Sequence, residues 1–397
     1  MNKILLVLVL SITLFINAQE NTGAFKKTMK IEGRIQYDFN FLTAGDYSYA
    51  GNEFRRMRLS AKGVLAKNVA YKLEFDFAGG ESKYRDIYLK FLLPYNFGSL
   101  KLGSFTEPAS LDIMTSSKYI TFFERSMLSA TQPFKYNAGF MYENYNLLDK
   151  KVNLQLAYTF NGDKKNVFKD TDIDSGANLI VRVTGAAINN KEKHQVVHLG
   201  LNYERRDDDD ESYTYNLRTE NHMGKKTKVG VSNGFQNTSD LGFELATTFG
   251  SLSIQGEYEM GSISAKDDIL DTNKTNIYKT RSYYAFVSYF LTGEHRPYKK
   301  GTFGRVKPKS NFCLKDGNWG AVELVARYSV VDFNGYDVDD LSDDDIKITN
   351  ITAGFNWYLN NHTRIMYNYV SGDFNDIDPF GDNEKLAGHL LRFQIDF

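Results

Sequence analysis

The chain has 397 residues, with 48 Lys and Arg against 49 Asp and Glu, and a mean hydropathy of −0.43. This low mean hydropathy excludes a bundle of membrane-spanning helices. The net charge of −1 gives no basis for nucleic-acid binding, and the single cysteine excludes an internal disulfide. The 26 Tyr and 29 Phe, with only 6 Pro, favour a fold made of many aromatic-rich strands.

The first 18 residues are predicted to be a secretory signal peptide. Lys3 is followed by an apolar run over residues 4–16 and by a small residue, Ala18, at the expected cleavage point. The apolar run is shorter than the roughly 20 residues that a helix needs to cross a bilayer. We therefore expect residues 1–18 to be removed and residues 19–397 to form a single exported domain.

Apolar and polar residues alternate with a period of two in many segments, which predicts β-strands. In "YKLEFDFA", over residues 71–78, Tyr, Leu and Phe alternate with Lys, Glu and Asp. The same alternation recurs at 152–160, 197–204, 252–260, 321–330, 351–359 and 364–370. Short turns such as 96–99 and 359–362 separate some strands, and long polar stretches such as 161–178 and 334–347 separate others.

The polar faces of these strands carry many ionisable side chains, which distinguishes between two all-β architectures. A soluble sandwich would bury its apolar faces, and a chain of this length would divide into domains, but no linker is visible. A closed membrane barrel places the apolar rows against lipid and the charged rows in a wet lumen. We predict an all-β, closed, transmembrane antiparallel β-barrel of about 16 strands, at roughly 20 to 25 residues per strand and loop.

The first two predicted strands carry inward-facing arginines. In "EGRIQYDF" Arg34 shares a face with polar residues, and in "EFRRMRLSAKG" the alternation directs Arg56 and Arg58 inward. Arg55 would face lipid unless it lies at a strand end or a bulge shifts it. A group of inward arginines attracts anions. The alternative is that each arginine pairs with a lumen carboxylate, for which the candidates are Glu74, Asp76 and Asp86.

Two acidic runs, at 205–213 and 339–345, are predicted to be solvated loops. A calcium site is the alternative, but the runs lack the spaced ligands and fixed glycine of a dedicated calcium loop. The six His residues are scattered without a supporting Ser or Asp motif. We therefore predict no metal, no cofactor and no catalytic residue.

The last eight residues, "LLRFQIDF", form a further predicted strand. Leu391, Phe393 and Ile395 should face lipid, and the intervening polar residues should face water. We expect this strand to pair with the strand of Arg34 and so to close the barrel. Phe397 resembles the terminal aromatic by which the outer-membrane assembly machinery recognises its clients, so it is predicted to be an assembly signal.

Segments along nearly the whole exported chain are similar, in the same order, to the phosphate-selective porin O and P family. They are "EGRIQYDF", "FRRMRL", "LKLGSFTEPASLDIMTSSKYITFFER", "YAFVSYFLTGEHRPY", "AVELVARYS", "GFNWYLN" and "RFQIDF". The resemblance implies a homotrimeric, 16-stranded barrel in the outer membrane of a Gram-negative bacterium. It also implies an inward-folded constriction loop and passive uptake of phosphate or related anions.

The resemblance also assigns individual residues. Gly33-Arg34 and Arg55-Arg56 match the family's pore-lining cations, and Asp86 matches its acidic residue before "IYLKF". The inward loop supplies pore-lining residues from "TSSKYITFFER", namely Lys118, Glu124 and Arg125. One position departs from the family, because phosphate-selective members have a lysine where this chain has Ile113. Isoleucine supplies neither the charge nor the donors of an ammonium group.

The predicted function is passive diffusion of small hydrophilic solutes with a preference for anions such as phosphate, polyphosphate or organic anions. The cations expected to set the field in the pore are Arg34, Arg55, Arg56, Arg58, Lys118 and Arg125. The alternative is an uptake channel for oligosaccharides or general solutes without anion selectivity. In that case inward-facing tyrosines would form a stacking path, the candidates being Tyr88, Tyr284 and Tyr358.

Overall fold

The computed structural model describes residues 26–132, 136–160, 176–207, 213–231, 234–266, 275–334, 346–375 and 385–397. The predicted signal peptide lies outside these residues, as do the whole acidic run at 339–345 and residues 208–212 of the other run. Within the described ranges, no helix is long and apolar enough to cross a membrane.

The described residues form twenty strands and a few single-turn helices. The strands are β1 (Lys30–Ala44), β2 (Tyr47–Ala66), β3 (Val69–Asp76), β4 (Lys83–Leu92), β5 (Ser99–Thr106), β6 (Tyr136–Asn146), β7 (Val152–Phe160), β8 (Ala177–Asn190), β9 (Gln195–Asp207), β10 (Tyr213–Leu217), β11 (Thr227–Val231), β12 (Phe235–Phe249), β13 (Leu252–Lys266), β14 (Thr275–Phe290), β15 (Tyr298–Lys299), β16 (Thr302–Phe303), β17 (Ala321–Asn334), β18 (Ile346–Tyr358), β19 (Thr363–Asn375) and β20 (Leu386–Asp396). The helical turns are Pro94–Asn96, Leu111–Met114, Met127–Ala130, Leu147–Lys150 and Leu314–Asp316.

Sixteen of the strands form one closed antiparallel barrel. Its order is β1 to β9, then β12 to β14, then β17 to β20, and β20 pairs back onto β1. This confirms the predicted closed barrel of about 16 strands. Closure leaves no sheet edge, so the backbone groups of each strand pair with neighbouring strands. The remaining four strands form two hairpins outside the barrel sheet, β10–β11 and β15–β16.

Side chains alternate between the outside and the lumen as the period-two pattern predicts. On β1, Ile35 is 41% exposed on the outer surface, whereas its neighbour Arg34 is buried on the inner side. On β20, Ile395 is 52% exposed and Arg392 is fully buried. The outer surface is thus apolar and suited to lipid, and the inner surface holds the charges.

The seam between β1 and β20 confirms that the last strand closes the barrel on the strand of Arg34. Arg34 lies opposite Asp396 in the register. The backbone N–H of Phe397 donates to the carbonyl of Gly33 at 3.1 Å, and the N–H of Gly33 donates back at 3.0 Å. The Phe397 ring lies over Gly33 and occupies the space that a Cβ atom would need there. Glycine therefore permits the aromatic ring to cover the seam.

A β-bulge decides the orientation of Arg55. In the pairing of β1 with β2, Gln36 lies opposite Arg56 and Tyr37 lies opposite Phe54, so Arg55 is the extra residue of β2. The bulge directs Arg55 into the lumen beside Arg56, where both contact the same carboxylate. Of the two orientations that the sequence left open for Arg55, the structure has the inward one.

The two ends of the barrel differ in their connections. At the end that carries Phe397, here called the turn end, short turns join the strands at 67–68, 93–98, 147–151, 191–194, 250–251 and 359–362. The connection over 291–320, here called the turn-end segment, is longer and includes the β15–β16 hairpin. Residues 107–135 join β5 to β6 from the opposite end and are described up to Gln132. This segment, the constriction loop, folds into the lumen and contacts distant strands.

Candidate functional site

Inward-facing residues of β1 to β6 form two neighbouring groups of ion pairs, here together called the basic wall. Its six cations are Arg34, Arg58, Lys72, Arg85, Lys90 and Lys101. Its four carboxylates are Glu74, Asp76, Asp86 and Glu143. The wall therefore has a net charge of +2 when all ten groups are ionised.

The part of the basic wall nearer the middle of the barrel is built on arginines. Arg58 donates from Nε to Asp76 at 2.8 Å and from Nη1 to Glu74 at 3.2 Å. Arg34 lies 3.6 Å from Glu74, and Arg85 lies 3.2 Å from Asp76. Each carboxylate is thus shared between two guanidinium groups, which limits how far it can neutralise either one.

The part nearer the turn end is built on lysines. Lys72 Nζ lies 2.6 Å from Asp86 and 3.0 Å from the carboxylate of Glu74, so this lysine belongs to the same group of ion pairs as the arginines. Lys101 Nζ lies 2.7 Å from Glu143, and Lys90 contacts the same carboxylate. The wall thereby continues toward the turn end.

Exposure within the basic wall favours the positive groups. The side chains of Arg85, Lys90 and Lys72 are 24%, 20% and 19% exposed. The carboxylates of Glu74 and Asp76 are only 6% and 3% exposed. A solute in the lumen therefore meets these three cations, and Asp86, at 18% exposed, is the one carboxylate of the wall that it reaches as readily.

Glu124 of the constriction loop lies at the centre of a second ionic cluster, here called the loop clamp. Its carboxylate accepts hydrogen bonds from Arg55 at 2.8 Å, Arg56 at 3.1 Å and Arg392 at 2.8 Å. Arg392 also donates to Asp38 of β1 at 2.7 Å. Burial alone would raise the pKa of Glu124, but the three guanidinium groups outweigh it and hold the pKa well below its usual range.

The structure thus divides the predicted site residues among separate places. Arg34, Arg58 and Asp86 lie in the basic wall, whereas Arg55, Arg56 and Glu124 form the loop clamp with Arg392. Arg125 donates to backbone carbonyl groups of its own loop, including that of Thr115 at 2.8 Å. Lys118 lies near the turn end, with Glu32 at 3.9 Å. Ile113 is buried and presents no charge to the lumen.

Two glutamates of β13 hold the ends of the constriction loop. Glu257 accepts the backbone N–H groups of Leu111 and Asp112, both at 2.8 Å. Glu259 accepts the hydroxyl of Thr131 at 3.1 Å and also binds the adjacent Gln132 side chain. Because Glu257 and Glu259 are two residues apart, they share the inner face of the strand. Strand alternation places both side chains inward but does not reveal their contact with the loop.

The side of the lumen opposite the basic wall is covered. Glu244 of β12 pairs with Arg182 at 2.7 Å and is buried, and Arg182 also donates to the carbonyl of Gly301 in the turn-end segment. Tyr284 and Tyr358 also face inward, but they are only 3% and 8% exposed. These two tyrosines therefore do not provide an open stacking surface.

Several cations of the basic wall were missed by the sequence analysis. Lys72 was recognised only as part of a polar strand face, and Arg85, Lys90 and Lys101 were not assigned to the site. Alternation within "IYLKF" and "SLKLGS" carries the signal for Lys90 and Lys101, since each shares a face with polar or small residues. Arg85 carries no such signal, because the register between β3 and β4 shifts beside it.

A closed 16-stranded barrel with an apolar outer surface, a charged lumen and an inward-folded loop is the architecture of an outer-membrane porin. This class is a channel, and it lies in the outer membrane of Gram-negative bacteria with its short turns on the periplasmic side. The chain belongs to the phosphate-selective porin O and P family, whose sequence profile matches residues 29–397.

Known proteins agree with this assignment. Porin O of Pseudomonas aeruginosa is 27% identical over 409 aligned residues, which cover 93% of this chain and 88% of the relative. Among solved structures, OmpT of Vibrio cholerae in its trimer form has a TM-score of 0.57 at 14% identity, covering 94% of this chain and 100% of that chain. The anion-selective porin from Comamonas acidovorans has a TM-score of 0.56 at 16% identity, with the same coverage. The two structures share the fold.

Proposed function

We propose that this porin is a diffusion channel that prefers anions, with phosphate and related small anions as its solutes. The observation that carries the proposal is the basic wall, whose most exposed groups are Arg85, Lys90 and Lys72, while three of its four carboxylates are nearly buried. The family description names phosphate selectivity, and the Comamonas acidovorans porin is described as anion-selective, which supports the same preference.

The basic wall and the loop clamp have different roles in the proposed channel. Arg34 and Arg58 contribute to the field of the basic wall, and Asp86 orients Lys72 within it. The loop clamp keeps the lumen narrow, so that solutes pass close to the wall. Selectivity then comes from rows of charge along the path rather than from a dehydrating filter. Ile113 supplies no donor, so we assign phosphate no binding site at that position.

A reversal potential measured across a planar bilayer tests the proposed function. In a potassium chloride gradient at neutral pH, the sign of the potential should show that chloride carries more current than potassium. Phosphate added to both sides should reduce the chloride current by competing for the same cations. A potential of the opposite sign would show that the pore prefers cations and would contradict the proposed function.

We also propose that the protein is exported, with residues 1–18 as a signal peptide and residues 19–397 as one barrel domain, and that it assembles as a homotrimer in outer-membrane lipid. The trimer form of the structurally similar OmpT supports the oligomeric state. The molecular mass of the detergent-solubilised protein, measured by analytical ultracentrifugation with the detergent matched, should equal three chains. A single-chain mass would contradict the trimer.

We propose that Phe397 takes part in recognition by the barrel-assembly machinery. Its backbone and ring both contact Gly33 at the seam, so Phe397→Ala should lower the yield of folded barrel more than it changes the conductance of the barrels that do form. The fraction folded can be read from the heat-modifiable mobility of the protein in gels. Phe393→Ala is the matched control, since this aromatic also faces outward on β20 but lies away from Gly33. Equal yields for the two variants would contradict a special role for Phe397.

A further inference from the structure

A polar patch interrupts the apolar outer surface of the barrel near the end opposite the turn end. It consists of outward-facing residues in two adjacent rows of the strand register, and none of its side chains is buried. Residues opposite each other on neighbouring strands have their Cβ atoms about 5 Å apart, so each row is continuous. The members, here called the outer patch, are Ser239, Ser262 and Lys279 in one row and Arg281, Asp332 and Lys347 in the next.

The outer patch begins where the apolar band of the barrel ends. On β18, Lys347 is ten residues from Trp357, which lies beside the turn end. At a rise of about 3.3 Å per residue and a tilt of about 40°, this is about 25 Å along the barrel axis. The apolar band of such a barrel has the same height, about 25 Å. Because the short turns face the periplasm, the patch lies at the headgroups of the outer leaflet.

Tyrosines adjoin the outer patch on its turn-end side. The ring centroid of Tyr283 lies 6.2 Å from that of Tyr258 on β13, and the ring of Tyr328 on β17 follows at 6.4 Å. Tyr258 and Tyr328 are exposed on the outer surface. Tyrosine is enriched at the boundary between hydrocarbon and headgroups. The basic residues beyond these rings therefore face headgroups rather than acyl chains.

The outer patch has more positive than negative charge. In the ranges that the structure describes, Lys279, Arg281 and Lys347 form no ion pair, although Asp332 lies between two of them in the register. With Asp332 ionised, the patch has a net charge of +2. The next residue of the first row, Arg205, pairs with a neighbouring carboxylate at 3.2 Å and adds no net charge. Cations at this depth attract anionic lipid headgroups.

We propose that the outer patch binds a phosphorylated glycolipid of the outer leaflet. Lys279, Arg281 and Lys347 pair with the phosphate groups of the lipid, and the guanidinium can donate two parallel hydrogen bonds to one phosphate. The two serines are small, so the sugar can approach the sheet beside Lys279 and receive their hydroxyl groups. The acyl chains then lie along the apolar surface on the far side of the tyrosines. The proposal depends on the location in the outer membrane and not on the ion preference of the pore.

Binding of lipid A, a bisphosphorylated and acylated disaccharide, to the purified protein in detergent tests the patch. Mass spectrometry of the intact complex gives the lipid retained per chain over a titration, with a chelator present so that no divalent ion bridges lipid and protein. Lys279→Gln combined with Arg281→Gln and Lys347→Gln should raise the half-saturating lipid concentration by about tenfold or more. The unaltered protein should bind monophosphorylated lipid A more weakly than the bisphosphorylated form. An unchanged half-saturation in the variant, or equal binding of the two lipids, would overturn the proposal.

Lys67→Gln combined with Lys191→Gln and Lys193→Gln is the matched control. It removes three positive charges from exposed positions in the periplasmic turns and should bind lipid A as the unaltered protein does. Equal weakening in both triple variants would show that net charge alone attracts the lipid, which would overturn the proposal. So would a smaller number of chains per complex in the patch variant, since the patch would then be a contact between copies. Heat-modifiable mobility verifies that both variants fold.

The outcome for lipid is separate from the outcome for ions. Lipid retention is measured without conduction, so a cation-preferring pore that still binds lipid A at the outer patch would remove the proposed function and leave this site. An anion-preferring pore whose patch variant retains lipid A unchanged would leave the proposed function and overturn this site.

Discussion

Lys72→Glu combined with Lys101→Glu is expected to turn the anion preference of the pore into a cation preference. Each substitution changes the charge of the basic wall by two units, so the pair takes the wall from +2 to −2. Both lysines are partly exposed to the lumen, and charges there act through a low-dielectric wall that focuses their field. The ratio of anion to cation permeability should fall by on the order of tenfold or more. The measurement is the reversal potential in a salt gradient.

Lys67→Glu is the matched control for this pair. It places the same charge change in the exposed turn between β2 and β3, outside the ion pairs of the wall. Its reversal potential should stay close to that of the unaltered porin. The single variant Lys72→Glu makes the wall neutral and should give an intermediate potential. If the double variant kept the original anion preference, the basic wall would not be the element that selects ions.

Glu257→Ala combined with Glu259→Ala is expected to release the constriction loop. The two side chains receive bonds from Leu111, Asp112 and Thr131, and the loss of each of these hydrogen bonds costs about 0.5 to 1.5 kcal/mol. With both ends free, the loop should leave its position in the lumen for part of the time. Single-channel recordings should show a conductance that fluctuates and rises to roughly twice the original value.

Met260→Ala provides the comparison on the same strand. Met260 faces outward and is 42% exposed, so its removal leaves the contacts of the loop intact. That variant should keep a single, steady conductance level. The loop clamp would still hold Glu124 in the double variant, so the loop should move at its ends more than at its middle. A steady conductance in the double variant would show that β13 does not anchor the loop.

Most of the barrel could be predicted from the sequence because strand alternation is a local property. In "LLRFQIDF" and "EGRIQYDF" each residue's face follows from its immediate neighbours, and the pairing of β20 with β1 was predicted correctly. Arg55 shows where this reasoning ends. Its orientation depends on a bulge, and the bulge is fixed by how β2 pairs with Gln36 and Tyr37 of another strand.

The site was predictable only in part, since inward direction is local but ionic partners are not. Arg56 and Arg58 were expected to face the lumen, and both do. Grouping them into one cluster was an inference from closeness in sequence, and the structure instead joins Arg58 to Glu74 and Arg56 to Glu124. The second of these contacts spans 68 residues and depends on the path of the loop, which no period-two pattern records.

Arg392 imposes an order on the assembly of the pore. It lies on β20, the strand that completes the sheet, and it binds Asp38 of β1 and Glu124 of the constriction loop at the same time. Glu124 of the loop lies early in the sequence, and its partner Arg392 follows 268 residues later. Contacts of such long range form late in folding. The loop therefore completes its docking only after the barrel has closed. In this protein, a channel narrowed by the docked loop shows that the barrel has been fully assembled.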